Sequence, residues 1–232
     1  MSYQQYRPNS FSVLPPVVKN LLIINGLFFL ATLSFETLGT DLSDTLGLHF
    51  PLADTFRPYQ LITYMFMHGS FMHLFFNMFA LWMFGNTLEN VWGPKRFLTY
   101  YLITGIGAAV CHYAVVYYEM QPALNLINNS PFDYQELEAL KQEVYNAPVV
   151  VGASGSVFGI LLAFGMLFPN TLLYIYFAIP IKAKWFVVLY GGMELFSGLR
   201  GDPGDNVAHF AHLGGMLFGF ILIKYWKRNT NF

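Results

Sequence analysis

Apolar segments of about membrane-crossing length recur along this chain, and its charges sit almost entirely in the connections between them. The segments are 21–38, 61–84, 97–118, 149–168, 183–199 and 207–226. A hydrocarbon core takes about 20 residues of helix to cross. A backbone inside lipid must also satisfy its own hydrogen bonds, which restricts such segments to helices or a closed barrel. The pattern therefore predicts an all-α polytopic membrane protein, a bundle of six transmembrane helices. Residues 19–228 read as one membrane domain, 1–18 and 229–232 as tails, and 119–147 as the single long polar insert, rich in acidic residues. Within the insert, Ser130-Pro131 followed by Leu137, Leu140 and Val144 predicts a capped amphipathic helix lying on the surface. Composition agrees, with 11% charged and 55% hydrophobic residues, against about 25% charged in soluble domains. A net charge of -1 implies no pull toward nucleic acid. The lone Cys111 has no intramolecular partner.

Lys and Arg are unevenly divided among the connections. Alternate sides receive nine (Arg7, Lys19, Lys95, Arg96, Lys182, Lys184, Lys224, Lys227 and Arg228) and three (Arg57, Lys141 and Arg200). Because cationic loops stay in the cytoplasm, both termini are expected there. The first apolar segment lacks a charged-then-apolar leader pattern and is expected to remain as an anchor. The first residues also lack an Arg-rich, transit-like character, which points to a bacterial cytoplasmic membrane.

The chemistry concentrates in three segments. Val151-Gly152-Ala153-Ser154-Gly155-Ser156 opens the fourth, with a serine flanked closely by glycines. A serine hydroxyl is a nucleophile only when a base takes its proton. Ser154 lies five residues after 149 and His212 five after 207, so each sits about 7–8 Å into its segment. With the second, fourth and sixth segments running in the same direction, Ser154, His212, His73 and Asn77 approach one level in the outer half of the membrane. Polar groups at such a depth face one another or a water-filled cavity. Gly155-Xaa-Xaa-Xaa-Gly159 and Gly215-Xaa-Xaa-Xaa-Gly219 are small-residue seams, each beginning beside a reactive residue. Phe158, one turn below Ser154, can stack on the His212 ring. His73 and Asn77, four apart, can donate to one point and, with the Ser154 N–H, form an oxyanion hole.

These stretches resemble the rhomboid intramembrane serine proteases. The resemblance rests on Gly152-Ala153-Ser154-Gly155, on Ala211-His212-Leu213-Gly214-Gly215 with Gly219, and on His73-Leu74-Phe75-Phe76-Asn77. Tyr59-Gln60 adds to it, and together these cover nearly the whole chain. The resemblance implies Ser154 as nucleophile, His212 as general base, His73 and Asn77 as oxyanion donors, and no metal or cofactor. It implies cleavage of transmembrane protein substrates near their outer membrane boundary. Phe158 stands where some members carry Tyr, and the 119–147 insert is longer than in minimal members.

Two other functions compete. A catalytically silent rhomboid-like factor would bind membrane proteins without cutting them, although such proteins usually lack the serine or the histidine. A metal-dependent protease or transporter could use His68, His73, His209 and His212, but the chain has no His-Glu-Xaa-Xaa-His. Glu194, the one carboxylate well inside an apolar run, reads either as lining the cavity or as snorkelling to the outer interface. His209 reads as a structural or cavity-rim residue, and Glu89 with Arg96 as an ion pair.

Overall fold

The computed structural model describes residues 11–175, 178–201 and 208–229, and the description below is confined to them. The chain begins with helix α1, Pro16–Glu36. Its first backbone N–H groups have no partner within the helix. The carboxylate of Glu89 takes those of Val17 and Val18 at 2.9 and 2.8 Å. The sequence pairs Glu89 with Arg96; here Glu89 is buried against the positive end of a helix dipole. The Arg96 guanidinium lies over the Trp226 ring, 4.3 Å from its centroid.

After α1 come a single turn α2 (Ser43–Leu46), strand β1 (Leu48–His49) and helix α3 (Gln60–Thr63), followed by a 3₁₀ turn over Tyr64–Phe66. Gln60 is fully buried. Its amide donates to the carbonyls of Thr45 and Thr55 and accepts from the Arg57 N–H, which ties this loop to the start of α3. The sequence predicts an unbroken helix over 61–84. The chain instead breaks at 67–70 and restarts as α4, Phe71–Ala80, where Ser70 caps the helix by accepting the His73 N–H. A serine cap after a glycine is a local stop-and-start signal that hydropathy does not register. A π turn (Leu81–Gly85) leads directly into α5, Asn86–Trp92. Much of the short connection that hydropathy leaves between segments 61–84 and 97–118 is thus helical. Its polar residues point inward to hold the N-terminal segment, as Asn86 does by donating to the Val13 carbonyl at 2.8 Å.

Helix α6 covers Pro94–Asn128, extending past the predicted end at 118. Helix α7, Tyr134–Asn146, forms most of the rest of the polar insert. Its cap is Asp133, which with Glu136 forms a reciprocal capping box. Ser130, the expected cap, instead donates to the Ile127 carbonyl at the end of α6. The Asp-Xaa-Xaa-Glu spacing supplies both halves of the box, which Ser130 cannot. Helix α7 is bound to the loop after β1. Gln142 accepts the Asp54 N–H and donates to the Leu52 carbonyl, and Phe50 stacks on Tyr145.

Strand β2 (Val149–Val150) pairs antiparallel with β1. Helix α8, Ser154–Leu167, follows it. The short apolar run after α8 forms a hairpin, β3 (Leu172–Ile175) with β4 (Ile179–Lys182). Two helices complete the fold, α9 (Ala183–Arg200), closed by Gly201 at φ 57°, and α10 (His209–Asn229). By residue type Asp205 or Asn206 would cap the last apolar segment, and both lie outside the described residues.

Helices α6, α8 and α10 form the centre, with α8 almost wholly buried. By length and hydropathy, α1 and α6 are each suited to cross a membrane among the described residues. At 14 residues α8 is about 21 Å long, shorter than a hydrocarbon core, and its extended flanks add to its reach. A ridge of α6, Tyr100, Thr104, Ala108 and Cys111, enters grooves left by glycines of both neighbours. A Cβ on Gly159 would press on Thr104, one on Gly155 on Ala108, and one on Gly214 on Cys111. Hydroxyls join these surfaces, Tyr100 Oη donating to the Gly159 carbonyl at 2.8 Å and Ser156 Oγ to the Tyr101 carbonyl at 2.7 Å. Between α8 and α10 the contact is backbone on backbone, since a Cβ on Gly215 would overlap the Gly155 carbonyl.

Gly215→Ala is therefore expected to force α8 and α10 apart. Overpacking of this kind costs about 1–3 kcal/mol, to be read as a lowered thermal unfolding midpoint of the purified protein. A midpoint equal to wild type would contradict this account of the contact.

Candidate active site

Ser154 is the first residue of α8. Its side chain thus stands at the helix mouth, and the N–H groups of the first turn have no partner within the helix. Segment 149–153 ahead of it is not helical, being strand over Val149–Val150 with Ala153 turning into the helix, and it is held from both sides. Strand β2 pairs with β1, and the Gly152 N–H donates to the Tyr64 carbonyl at 2.9 Å. Gly152 has φ +138°, a conformation that side chains rarely adopt. A Cβ there would come 2.9 Å from His73 Nε2 and 3.4 Å from Ser154 Oγ. The glycine thus leaves open a space bordered by both side chains.

His212 occupies the first turn of α10. Its Nε2 lies 2.8 Å from Ser154 Oγ. Its ring is parallel to that of Phe158, with centroids 4.2 Å apart and an interplanar angle of 7°. Tyr190 of α9 stacks on the opposite face of Phe158, with centroids 5.1 Å apart. The imidazole is thus one layer of a three-ring stack, which restricts its tilt.

The sequence leaves Glu194 open, and its position is the main addition of the structure. The residue sits on α9 and is 8% exposed. Its Oε2 lies 2.8 Å from His212 Nδ1 and 2.7 Å from His209 Nδ1. A carboxylate oxygen accepts, so both nitrogens carry hydrogen. Neutral His212 is then unprotonated at Nε2 and accepts from the serine hydroxyl. The sequence offered one signal for this, a single carboxylate within an apolar run, which is normally functional or paired.

Glu194, His209 and His212 bring three potential metal-ligand atoms within 4.8 Å of one another. Ligands at about 2.0–2.1 Å around a tetrahedral zinc stand about 3.3 Å apart. The N–O separations of 2.7 and 2.8 Å are shorter and match charge-assisted hydrogen bonds. The other histidines of the metal reading, His68 and His73, pack edge to face on each other at 5.0 Å.

His73 and Asn77 lie on one face of α4. His73 borders the Gly152 space, whereas the Asn77 amide donates to the His73 carbonyl at 3.1 Å, which leaves one N–H of that amide for a ligand. Gly155 and Gly215 lie behind the serine and histidine and set the gap between α8 and α10. A cavity of about 1120 Å³ is lined by Ser154, His212, His73, Asn77, Glu194 and His209, among mostly apolar neighbours. The arrangement has the parts for acyl transfer: a hydroxyl bonded to an oriented base, and donors around an adjacent space.

The chain is also similar to known proteins. A Rhomboid domain matches residues 55–229. The putative rhomboid protease YdcA of Bacillus subtilis is 29% identical over 166 residues, which cover 71% of this chain and 65% of YdcA. The rhomboid protease AarA of Providencia stuartii is 28% identical over 179 residues, 72% of this chain and 57% of AarA. The mitochondrial RHOMBOID-like protein 12 of Arabidopsis thaliana is 28% identical over 159 residues, 68% of this chain and 44% of the relative. The chain thus spans less than two thirds of the length of each of these relatives. The domain match covers well over half of the chain, which belongs to the rhomboid family.

Proposed function

We propose that this protein is an intramembrane serine endopeptidase that cleaves transmembrane segments of membrane proteins near the outer membrane boundary. Ser154 is the nucleophile, His212 the general base, and His73, Asn77 and the Ser154 N–H the oxyanion donors. The observation that carries the reading is the 2.8 Å contact between Ser154 Oγ and His212 Nε2, with the other ring nitrogen held by a carboxylate. Relatives named as rhomboid proteases support the same class of activity.

A lipid setting is supported by the outer faces of the helices. Leu30 of α1, Phe76 of α4 and Val188 of α9 are each about 60% exposed, among many other large apolar side chains. Apolar surface on that scale marks contact with lipid or protein. We read the chain as six membrane-crossing helices, α1, α4 with α5, α6, α8, α9 and α10, with both termini on the cytoplasmic side. The relatives come from bacteria and from mitochondria. A bacterial cytoplasmic membrane is the location we propose, with the bacterial relatives in its support.

In the reaction, Ser154 Oγ attacks the scissile carbonyl carbon as His212 Nε2 takes its proton. Negative charge develops on the carbonyl oxygen in the space beside Gly152. His212 then returns the proton to the leaving amine, and water releases the acyl group by the same route. A helical substrate hides its carbonyls in internal hydrogen bonds. Its cleaved segment is therefore expected to carry small or helix-breaking residues.

Ser154→Ala is expected to abolish cleavage of single-span substrates by the purified protein without changing its unfolding midpoint; near-native cleavage by this variant would end the assignment. Gly152→Ala is expected to fill the oxyanion space and strain the loop, slowing turnover on the order of 10²-fold or more. The comparison is with wild type on one substrate. An unchanged rate would move the oxyanion site elsewhere.

A further inference from the structure

Glu194 is a buried carboxylate that a two-residue mechanism does not use. Three independent features of α9 show that it is built into the site. Its Oε2 accepts from His212 Nδ1 at 2.8 Å, so the partner atom is the ring nitrogen opposite the serine. It also accepts from His209 Nδ1 at 2.7 Å, one turn earlier on α10, so the carboxylate is held from a second direction. The face of α9 that carries it is cut to fit α10. Gly191, Glu194 and Gly198 follow one another at three- and four-residue spacing. A Cβ on Gly191 would lie 3.1 Å from Met216, and one on Gly198 would lie 3.2 Å from the His209 Cβ. The two glycines admit α10 on either side of the carboxylate. Tyr190, one turn before Glu194, backs the ring stacked on His212. A single helix outside the Ser154–His212 pair thus supports the imidazole both by stacking and by charge.

Building on the function proposed above, we infer that Glu194 is a positioning residue that completes a Ser154–His212–Glu194 unit, with His209 orienting the carboxylate. Glu194 selects the tautomer with hydrogen on Nδ1, which leaves Nε2 able to accept the serine proton. As the Oγ–carbon bond forms, that proton moves to Nε2. The ring becomes imidazolium beside a carboxylate that stays ionised. When the C–N bond breaks, the Nε2 proton leaves with the amine. In deacylation, water's oxygen attacks the acyl carbon and gives one proton to Nε2. That proton returns to Ser154 Oγ as the ester bond breaks. No proton leaves Nδ1 at any stage, and Glu194 ends as it began. Substrate binding is not part of this role.

The test uses the purified protein in detergent, as wild type, Glu194→Gln, Glu194→Ala and His209→Ala, with two readouts. The first is steady-state cleavage of a single-span substrate. The second is the ¹⁵N–¹H spectrum of imidazole-labelled protein, with the His212 signals identified by their loss in His212→Gln. The inference expects kcat to fall about 10²–10⁴-fold in Glu194→Ala. Glu194→Gln also lowers kcat, because its amide N–H can donate to Nδ1 and favour the Nε2-protonated tautomer, and KM changes little in either. The wild-type spectrum shows His212 protonated at Nδ1, and Glu194→Ala mixes in the Nε2-protonated form. His209→Ala lowers kcat less than Glu194→Ala does. If Glu194→Ala fails to fold, the isosteric Glu194→Gln carries the kinetic test.

Wild-type turnover in Glu194→Gln and Glu194→Ala would overturn the inference, as would a His212 tautomer indifferent to residue 194. Cleavage lost on chelation and restored by Zn²⁺ would overturn it in favour of a metal site at Glu194, His209 and His212. Wild type that cuts no substrate but shows the Glu194-dependent tautomer would remove the protease reading and keep the positioning role, so the two failures are distinguishable.

Discussion

The distance between α8 and α10 is the constraint on which the rest of this structure depends. At Gly155 and Gly215 the two helices meet backbone against backbone, with no room for even a methyl group. Ser154 immediately precedes the first of these glycines, and His212 lies one turn before the second. The 2.8 Å contact between their side chains is therefore a consequence of helix packing. A wider spacing would exceed hydrogen-bond reach before either side chain could compensate. Small residues favour this arrangement because close approach maximises dispersion contact where no hydrophobic drive separates helix from lipid.

Around that contact, the imidazole is held from several sides. The His212 ring has Phe158 on one face, Ser154 at one nitrogen and Glu194 at the other. An imidazole in an apolar bundle is restricted in tilt by stacking and in tautomer by the carboxylate. The loop before Ser154 is fixed by the β1–β2 pair and by the Gly152–Tyr64 hydrogen bond. The polar insert contributes at a distance, because α7 holds the loop that carries β1. A segment without chemistry of its own thus supports the strand beside the serine.

Much of this was legible in the chain and some of it was not. The helical segments and the residues around Ser154, His212 and His73 stand out in the sequence, since hydropathy and glycine spacing are local patterns. Counting helix from 149 and from 207 puts Ser154 and His212 at one depth, whereas α8 starts at Ser154 itself and α10 is described from His209. The two side chains share a level because α8 and α10 are in contact near their starts. The break at 67–70, the inward helix α5 and the Asp133 cap do not follow from the sequence pattern, because each depends on a hydrogen bond that hydropathy does not encode.

By itself, the sequence determined where apolar helices form and which few residues could carry chemistry among them. Both follow from periodicity and composition within a short window. Only the tertiary structure decided which carboxylate serves which partner: Glu89 the start of α1, and Glu194 the two histidines of α10. Those choices join residues from different helices, and their energy depends on side-chain distances and burial that no local pattern contains.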